Sequence, residues 1–146
     1  MPLQERNAKV LWEGSLRDGS GLLSVGSGAV PEQRVTFSAR TEQPEGMTSP
    51  EELLAGAHAI CYAMVLSNML SQDGKVPKQL EVSAMCTLDR IDGALKITHM
   101  ALTVVGDVPD IDEAAFKAVA QEGEKKCPVS NAIRGNVEVS VDARLV

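Results

Sequence analysis

The sequence predicts an α+β fold, and three observations support this prediction. Apolar residues alternate with polar ones near both ends of the chain, as in half-buried strands. Residues 53–70 carry no formally charged side chain and follow a helix-start signal. A second helix-start signal lies near residue 110, between two strand patterns. The predicted order is therefore β-β-β-α-β-β-α-(α)-β, with a mostly antiparallel sheet in a single domain over residues 1–146.

The first third of the chain predicts three strands. Residues 8–16 lead into the hairpin signal "RDG" at 17–19, and a second strand pattern follows at 21–30. The third strand is expected at 34–40, "RVTFSAR", because its apolar and polar residues alternate. Arg40 would then end that strand.

The central helix is predicted to begin after Ser49 and to run to about Gln72. Ser49 can cap it, Pro50 fits the first helical position, and Glu52 completes a capping box. The uncharged middle is long enough to raise the possibility of a membrane span. We reject that interpretation because small and polar residues interrupt the segment, and we expect the rest of the fold or a partner subunit to bury the helix.

The second half predicts three more strands and two helices. The strands are expected at residues 80–90, 95–108 and 136–145. Asp110 is expected to cap the second helix, which extends to about residue 126. A further short helix is predicted at 127–133, with Cys127 at its cap and Pro128 at its first position.

Composition narrows the functional class. The net charge of −6 argues against binding to nucleic acid or to an anionic membrane. The first ten residues lack the apolar run of an export signal, so we expect a cytoplasmic protein with reduced thiols. The three cysteines form no C-x₂-C pair and only two histidines are present, so no metal site is predicted.

The three cysteines differ in their local sequence. Cys86 lies on the apolar face of a predicted strand, which is typical of an inert core thiol. Cys127 follows two lysines and precedes a helix start, so from the residues alone it is the better reactive candidate. Cys61 lies in the middle of the central helix and is either a small buried hydrophobe or a thiol paired with His58 in a hydrolase or transferase.

Two motifs resemble those of the OsmC/Ohr family, the osmotically inducible protein C and organic hydroperoxide resistance proteins. They are "TSPEELLAGAHAICYAMVL" at 48–66 and "KKCPVSNAI" at 125–133. The likeness extends to "LWEGSLRDGSG" at 11–21 and "VPDID" at 108–112, and is strongest to the OsmC branch. The resemblance implies an OsmC-like fold that forms an intertwined homodimer around the central helix.

The resemblance also implies a thiol-dependent peroxidase. Cys61 matches the peroxidatic cysteine, which becomes a sulfenic acid, and Cys127 matches the resolving cysteine, which forms a disulfide with it. The substrates would be organic hydroperoxides and, more slowly, hydrogen peroxide. An external dithiol, in the Ohr branch a lipoylated protein, would reduce the disulfide. No cofactor is implied, and we expect Cys127 to be the more accessible thiol.

The family also uses a glutamate and an arginine beside the reactive cysteine. Glu51 matches the glutamate, and Arg40 is favoured over Arg17 as the arginine that stabilises the thiolate. His58 is expected to line the pocket without transferring protons. Glu51 and Cys61 would lie about 15 Å apart on a straight helix. Either the helix breaks near Gly56 or Glu51 serves a partner subunit. Two alternative functions stay open: the hydrolase or transferase that uses Cys61 and His58, and a non-catalytic stress or small-molecule-binding protein on the same fold.

Overall fold

A computed structural model describes all residues, 1–146. The chain forms two compact units, Met1–Pro50 and Glu51–Val146. The organisation of the chain as a single domain stays a prediction.

The first unit contains a three-stranded antiparallel sheet in the order β1-β2-β3. Its strands are β1 (Ala8–Glu13), β2 (Ser20–Val25) and β3 (Gln33–Val35). The predicted hairpin between β1 and β2 is present, and the N–H of Gly19 closes the turn by donating to the carbonyl oxygen of Ser15 at 2.8 Å. Every residue of β1 is exposed within this chain.

A short helix, α1 (Phe37–Thr41), replaces most of the predicted third strand. Thr36 ends the strand because its side chain accepts a hydrogen bond from the N–H of Ala39 at 3.2 Å, which caps the helix. The prediction of a strand over 34–40 was therefore wrong after Val35. Arg40 lies in the last turn of α1 and not at the end of a strand.

The second unit contains most of the long central helix, a second three-stranded sheet and two further helices. The elements are α2 (Pro50–Gln72), β4 (Gln79–Ile91), β5 (Ala94–Asp107), α3 (Glu113–Lys126), α4 (Pro128–Ile133) and β6 (Glu138–Leu145). The strand order is β4-β5-β6. The pair β4–β5 is antiparallel, whereas β5–β6 is parallel because α3 and α4 connect the two strands. The predicted order of elements is confirmed except for α1.

The cap of α3 is Asp112, so the expected cap at Asp110 was wrong. The side chain of Asp112 accepts a hydrogen bond from the N–H of Ala115 at 2.8 Å. Asp110 instead adopts a left-handed backbone with φ of 57° in the preceding turn. Asp and Asn tolerate this conformation better than most residues, so two aspartates spaced by one residue serve two different purposes.

One stripe of α2 belongs to the core of the second unit. Tyr62, Leu66 and Leu70 are completely buried, and the hydroxyl of Tyr62 donates to the carbonyl oxygen of Ala120 in α3 at 2.8 Å. The opposite stripe is exposed within the chain, with Ile60 at 60% and Met64 at 68%. The helix is thus buried on one side only by its own chain. Length and composition alone would let α2 span a membrane, but its buried stripe is what a core helix shows.

Candidate active site

The packing of α4 against α2 brings two cysteines together that are 66 residues apart in the sequence. The thiol of Cys127 lies close enough to that of Cys61 to raise its pKa. Cys61 is half-buried beside the core cluster and Cys127 belongs to that cluster. The second unit therefore holds a dithiol in a mostly apolar environment.

The surroundings of Cys61 do not by themselves favour a thiolate. Burial raises the pKa of the Cys61 thiol, and the neighbouring thiol of Cys127 raises it further. The backbone N–H of Val129, in the first turn of α4, lies beside the sulfur and lowers this pKa. Because burial has the larger effect, activation of Cys61 requires a further group.

Cys127 is completely buried, so the expectation that it would be the more accessible thiol was wrong. It continues the inward stripe of α3 formed by Phe116, Ala120 and Glu124, because residues three or four apart lie on one helix face. The two preceding lysines are exposed and face away from it. Cys127 does cap α4, with Pro128 at the first helical position, as predicted.

His58 contacts Ser130 of α4 and not Cys61. Nε2 of His58 and Oγ of Ser130 are hydrogen-bonded at 2.6 Å, and both side chains are completely buried. Nδ1 of His58 has no hydrogen-bond partner. Burial lowers the pKa of His58, although the charge of Glu124 opposes this effect. A neutral, enclosed imidazole bonded elsewhere argues against a Cys61–His58 catalytic pair and against direct contact with a substrate.

An ion pair between the buried Glu124 of α3 and an exposed arginine was missed by the sequence analysis. The guanidinium of Arg134 donates to the carboxylate of Glu124 at 2.8 Å, and Glu124 is 8% exposed. Arg134 directly follows α4, so the pair ties the end of α4 to α3. An acidic residue on the apolar stripe of α3 was the one available signal in the sequence.

Glu51 lies in the first turn of α2 and is 8% exposed. Burial of Cys86 on β4 raises the pKa of its thiol, and the negative charge of Glu51 raises it further. The helix runs unbroken through Gly56, so the alternative of a break between Glu51 and Cys61 is excluded. The interpretation that Glu51 serves a partner subunit stays a prediction.

The two candidate arginines occupy different positions in the first unit. Arg40 is half-buried and lines a cavity of about 140 Å³. The other lining residues are mostly apolar: Trp12, Leu16, Val35, Thr36, Phe37, Thr48 and Pro50. Arg17 is exposed in the turn between β1 and β2. Of these two candidates, Arg40 is thus the one that lies against apolar side chains.

Comparison with known proteins identifies the family. A family model described as OsmC-like protein matches residues 43–142, more than two thirds of the chain. The chain belongs to the OsmC-like family. The matched range contains Glu51, Cys61 and Cys127, whereas Arg17 and Arg40 lie before it.

Individual OsmC-like relatives and structures agree with this assignment. The chain is 37% identical to Peroxiredoxin OsmC of Escherichia coli over 134 residues, 92% of each protein. It is 26% identical to Organic hydroperoxide resistance protein OhrB of Bacillus subtilis over 126 residues, 86% of this chain and 90% of OhrB. The crystal structure of an organic hydroperoxide resistance protein OsmC from Legionella pneumophila has a TM-score of 0.80 at 21% identity and 99% coverage of both chains. The predicted OsmC-like α+β fold is confirmed.

Proposed function

We propose that this protein is a thiol peroxidase that reduces organic hydroperoxides, and hydrogen peroxide more slowly. The observation that carries the proposal is the pair of neighbouring thiols, Cys61 on α2 and Cys127 at the start of α4. The names of the E. coli and B. subtilis relatives, a peroxiredoxin and a hydroperoxide resistance protein, support the same activity.

The reaction needs two steps on these sulfurs. The Cys61 thiolate attacks the terminal oxygen of the hydroperoxide, the O–O bond breaks, and the alkoxide takes a proton and leaves as alcohol. Cys61 is thereby oxidised to a sulfenic acid. The thiol of Cys127 then attacks that sulfur, a disulfide forms, and the hydroxyl leaves with the Cys127 proton as water. The half-buried position of Cys61 suits the first step, and the enclosed position of Cys127 suits the second.

An external dithiol returns the protein to its reduced state. It attacks the disulfide through one sulfur, forms a mixed disulfide and is released in its own oxidised form. A lipoylated protein is the proposed donor. The cycle consumes no bound cofactor because the protein's own thiols carry the electrons, and the cytoplasm, which keeps thiols reduced, is the proposed location.

Activation of Cys61 is assigned to Arg40, with Glu51 as its anchor. A guanidinium near Cys61 would offset the effect of burial on the pKa of the thiol. We propose that a second copy of the chain covers the exposed stripe of α2, which includes Leu53, Ile60 and Met64. That stripe supports a homodimer because a soluble monomer seldom leaves such a stripe in water.

The direct test is turnover. Reduced protein is mixed with cumene hydroperoxide and dihydrolipoamide, and formation of the alcohol product is followed by chromatography. The proposal predicts one alcohol for each dihydrolipoamide oxidised, a slower reaction with hydrogen peroxide, and no turnover by Cys61→Ser. Inert thiols would instead favour a non-catalytic binding protein, and an acyl adduct on Cys61 with an ester substrate would favour the hydrolase.

A further inference from the structure

Two side-chain contacts join α2 to α4, and they are related by the helical repeat. One is the thiol pair of Cys61 and Cys127. The other is the 2.6 Å hydrogen bond between His58 and Ser130. His58 comes three residues before Cys61, and Ser130 comes three residues after Cys127. Since three residues are nearly one helical turn, the two contacts are about one turn apart on each helix.

The hydrogen bond between His58 and Ser130 is not readily replaced by a hydrogen bond to water. His58 and Ser130 are both completely buried, so water does not compete for either atom. Removing one partner would leave a second buried polar atom without a partner, since Nδ1 of His58 is already unpaired. The contact therefore favours one position of α4 on α2 over shifted positions.

Cys127 lies between α3 and α4, and the position of α4 needs such a contact. α4 has six residues, which is too short to be stable without tertiary contacts. The ion pair of Arg134 and Glu124 holds the far end of α4 to α3. It does not link α4 to α2, the helix that carries Cys61. A direct polar contact between α2 and α4 is made by His58 and Ser130.

Formation of a disulfide is sensitive to this positioning. The two Cβ atoms must come within about 3.5–4.5 Å and the sulfurs must reach a narrow range of dihedral angles. A displacement of α4 by a fraction of a turn would move Cys127 out of reach of a sulfenic acid on Cys61. The first oxidation step depends on Cys61 and its activator and is much less sensitive to the position of Cys127.

We propose that His58 and Ser130 are positioning residues that hold Cys127 in register with Cys61 for the disulfide-forming step. This inference rests on the proposed peroxidase function and assigns His58 a role other than contact with substrate. The hydrogen bond acts as a latch, defined here as the His58–Ser130 contact that fixes α4 on α2.

Rapid kinetics test the latch by separating the two steps. Ser130→Ala should leave the rate of Cys61 sulfenic acid formation within about twofold of wild type and slow disulfide formation by about tenfold, as expected for loss of one buried hydrogen bond. Cys61 sulfinic acid should then accumulate with excess peroxide, seen by mass spectrometry. His58→Leu should behave like Ser130→Ala, whereas His58→Gln, whose amide can still bond Ser130, should restore most of the rate.

A matched control removes a similar contact elsewhere. His99 and Ser140 are hydrogen-bonded at 2.8 Å on the exposed face of the second sheet. Ser140→Ala deletes the same hydroxyl from the same kind of pair and should change neither rate. Equal slowing of both steps by Ser130→Ala, or an unchanged rate of disulfide formation in the folded variant, would overturn the proposal.

A second measurement does not depend on peroxide activity. Equilibration with reduced and oxidised glutathione gives the effective concentration of Cys127 at Cys61, which Ser130→Ala should lower about tenfold and Ser140→Ala should leave unchanged. If wild type ignores peroxide but shows this difference, the proposed function fails and the latch stands. If Ser130→Ala does not fold, the pair His58→Leu and His58→Gln decides, and equal effective concentrations in those two variants would refute the latch.

Discussion

Cys61 and Cys86 are two half-buried thiols of the second unit with different neighbours. Burial raises the pKa of both. Beyond that, Cys61 faces a second thiol and the N–H of Val129, whereas Cys86 lies near the carboxylate of Glu51. A second thiol can form a disulfide and an N–H stabilises a thiolate, but a carboxylate repels one. Burial therefore does not distinguish Cys61 from Cys86, whereas the adjacent groups do.

The largest expected difference is between serine substitutions of these two residues. Cys61→Ser should lower the second-order rate of peroxide consumption by about 10³-fold or more, because a hydroxyl at neutral pH is not a comparable nucleophile. Cys86→Ser should leave the rate within about twofold. Peroxide loss measured at several protein concentrations gives both rates. A large loss in Cys86→Ser with Cys61→Ser still active would reverse the comparison.

The next effect concerns the arginine. Arg40→Ala should raise the pKa of Cys61, so that its thiol titrates at high pH as that of Cys86 does, and should slow peroxide reduction by about 10- to 100-fold. Each unit by which the pKa rises lowers the thiolate fraction at neutral pH tenfold. The rate of alkylation by iodoacetamide against pH measures the shift. Arg17→Ala is the matched control, and a shift in that variant alone would transfer the role to Arg17.

A substitution in the exposed stripe of α2 should lower the activity less than the loss of Arg40, because it acts through the dimer. Met64→Glu places a charge on a residue that is 68% exposed in the single chain, where the chain alone has room for it. We expect it to convert a dimer into a monomer and to lower activity by about tenfold, which light scattering and the peroxide assay measure. Ala118→Glu, on the exposed face of α3, is the control. An active monomer would contradict a site shared between subunits.

The smallest effect is a pH dependence of stability from His58. Burial lowers the pKa of His58 in the folded protein, so the unfolded chain binds a proton first as pH falls below about 6.5. The free energy of unfolding should therefore decrease as the pH falls from about 6.5, by at most about 1.4 kcal/mol per pH unit from this group. Urea unfolding between pH 7 and 5 should show a shallower decrease in His58→Gln, and an equal slope in both proteins would contradict the assignment.

Much of the fold could be predicted from local patterns. The helix signal at Pro50 and the proline after Cys127 gave correct helix starts, because these signals act within one turn. The strand pattern at 34–40 failed because alternation does not reveal that Thr36 caps a helix. The prediction of Asp110 as the cap of α3 failed because both aspartates are suitable cap residues. The backbone conformation at each position determines that Asp112 is the cap.

Less of the candidate site than of the fold could be predicted from the sequence. The pairing of Cys61 with Cys127 followed from family resemblance and not from spacing. The contact of His58 with Ser130 joins residues 72 apart, and no local period links them. The burial of Cys127 depends on which face of α3 packs inward, and its two lysine neighbours suggested the opposite.

A single-turnover experiment tests the central claim most directly. Reduced wild-type protein receives one equivalent of cumene hydroperoxide, is quenched with an alkylating agent, and is digested and mapped by mass spectrometry without reduction. We predict one disulfide, between Cys61 and Cys127, with Cys86 alkylated, and a Cys61 sulfenic acid in Cys127→Ser. Three alkylated cysteines, or a disulfide that includes Cys86, would contradict the account.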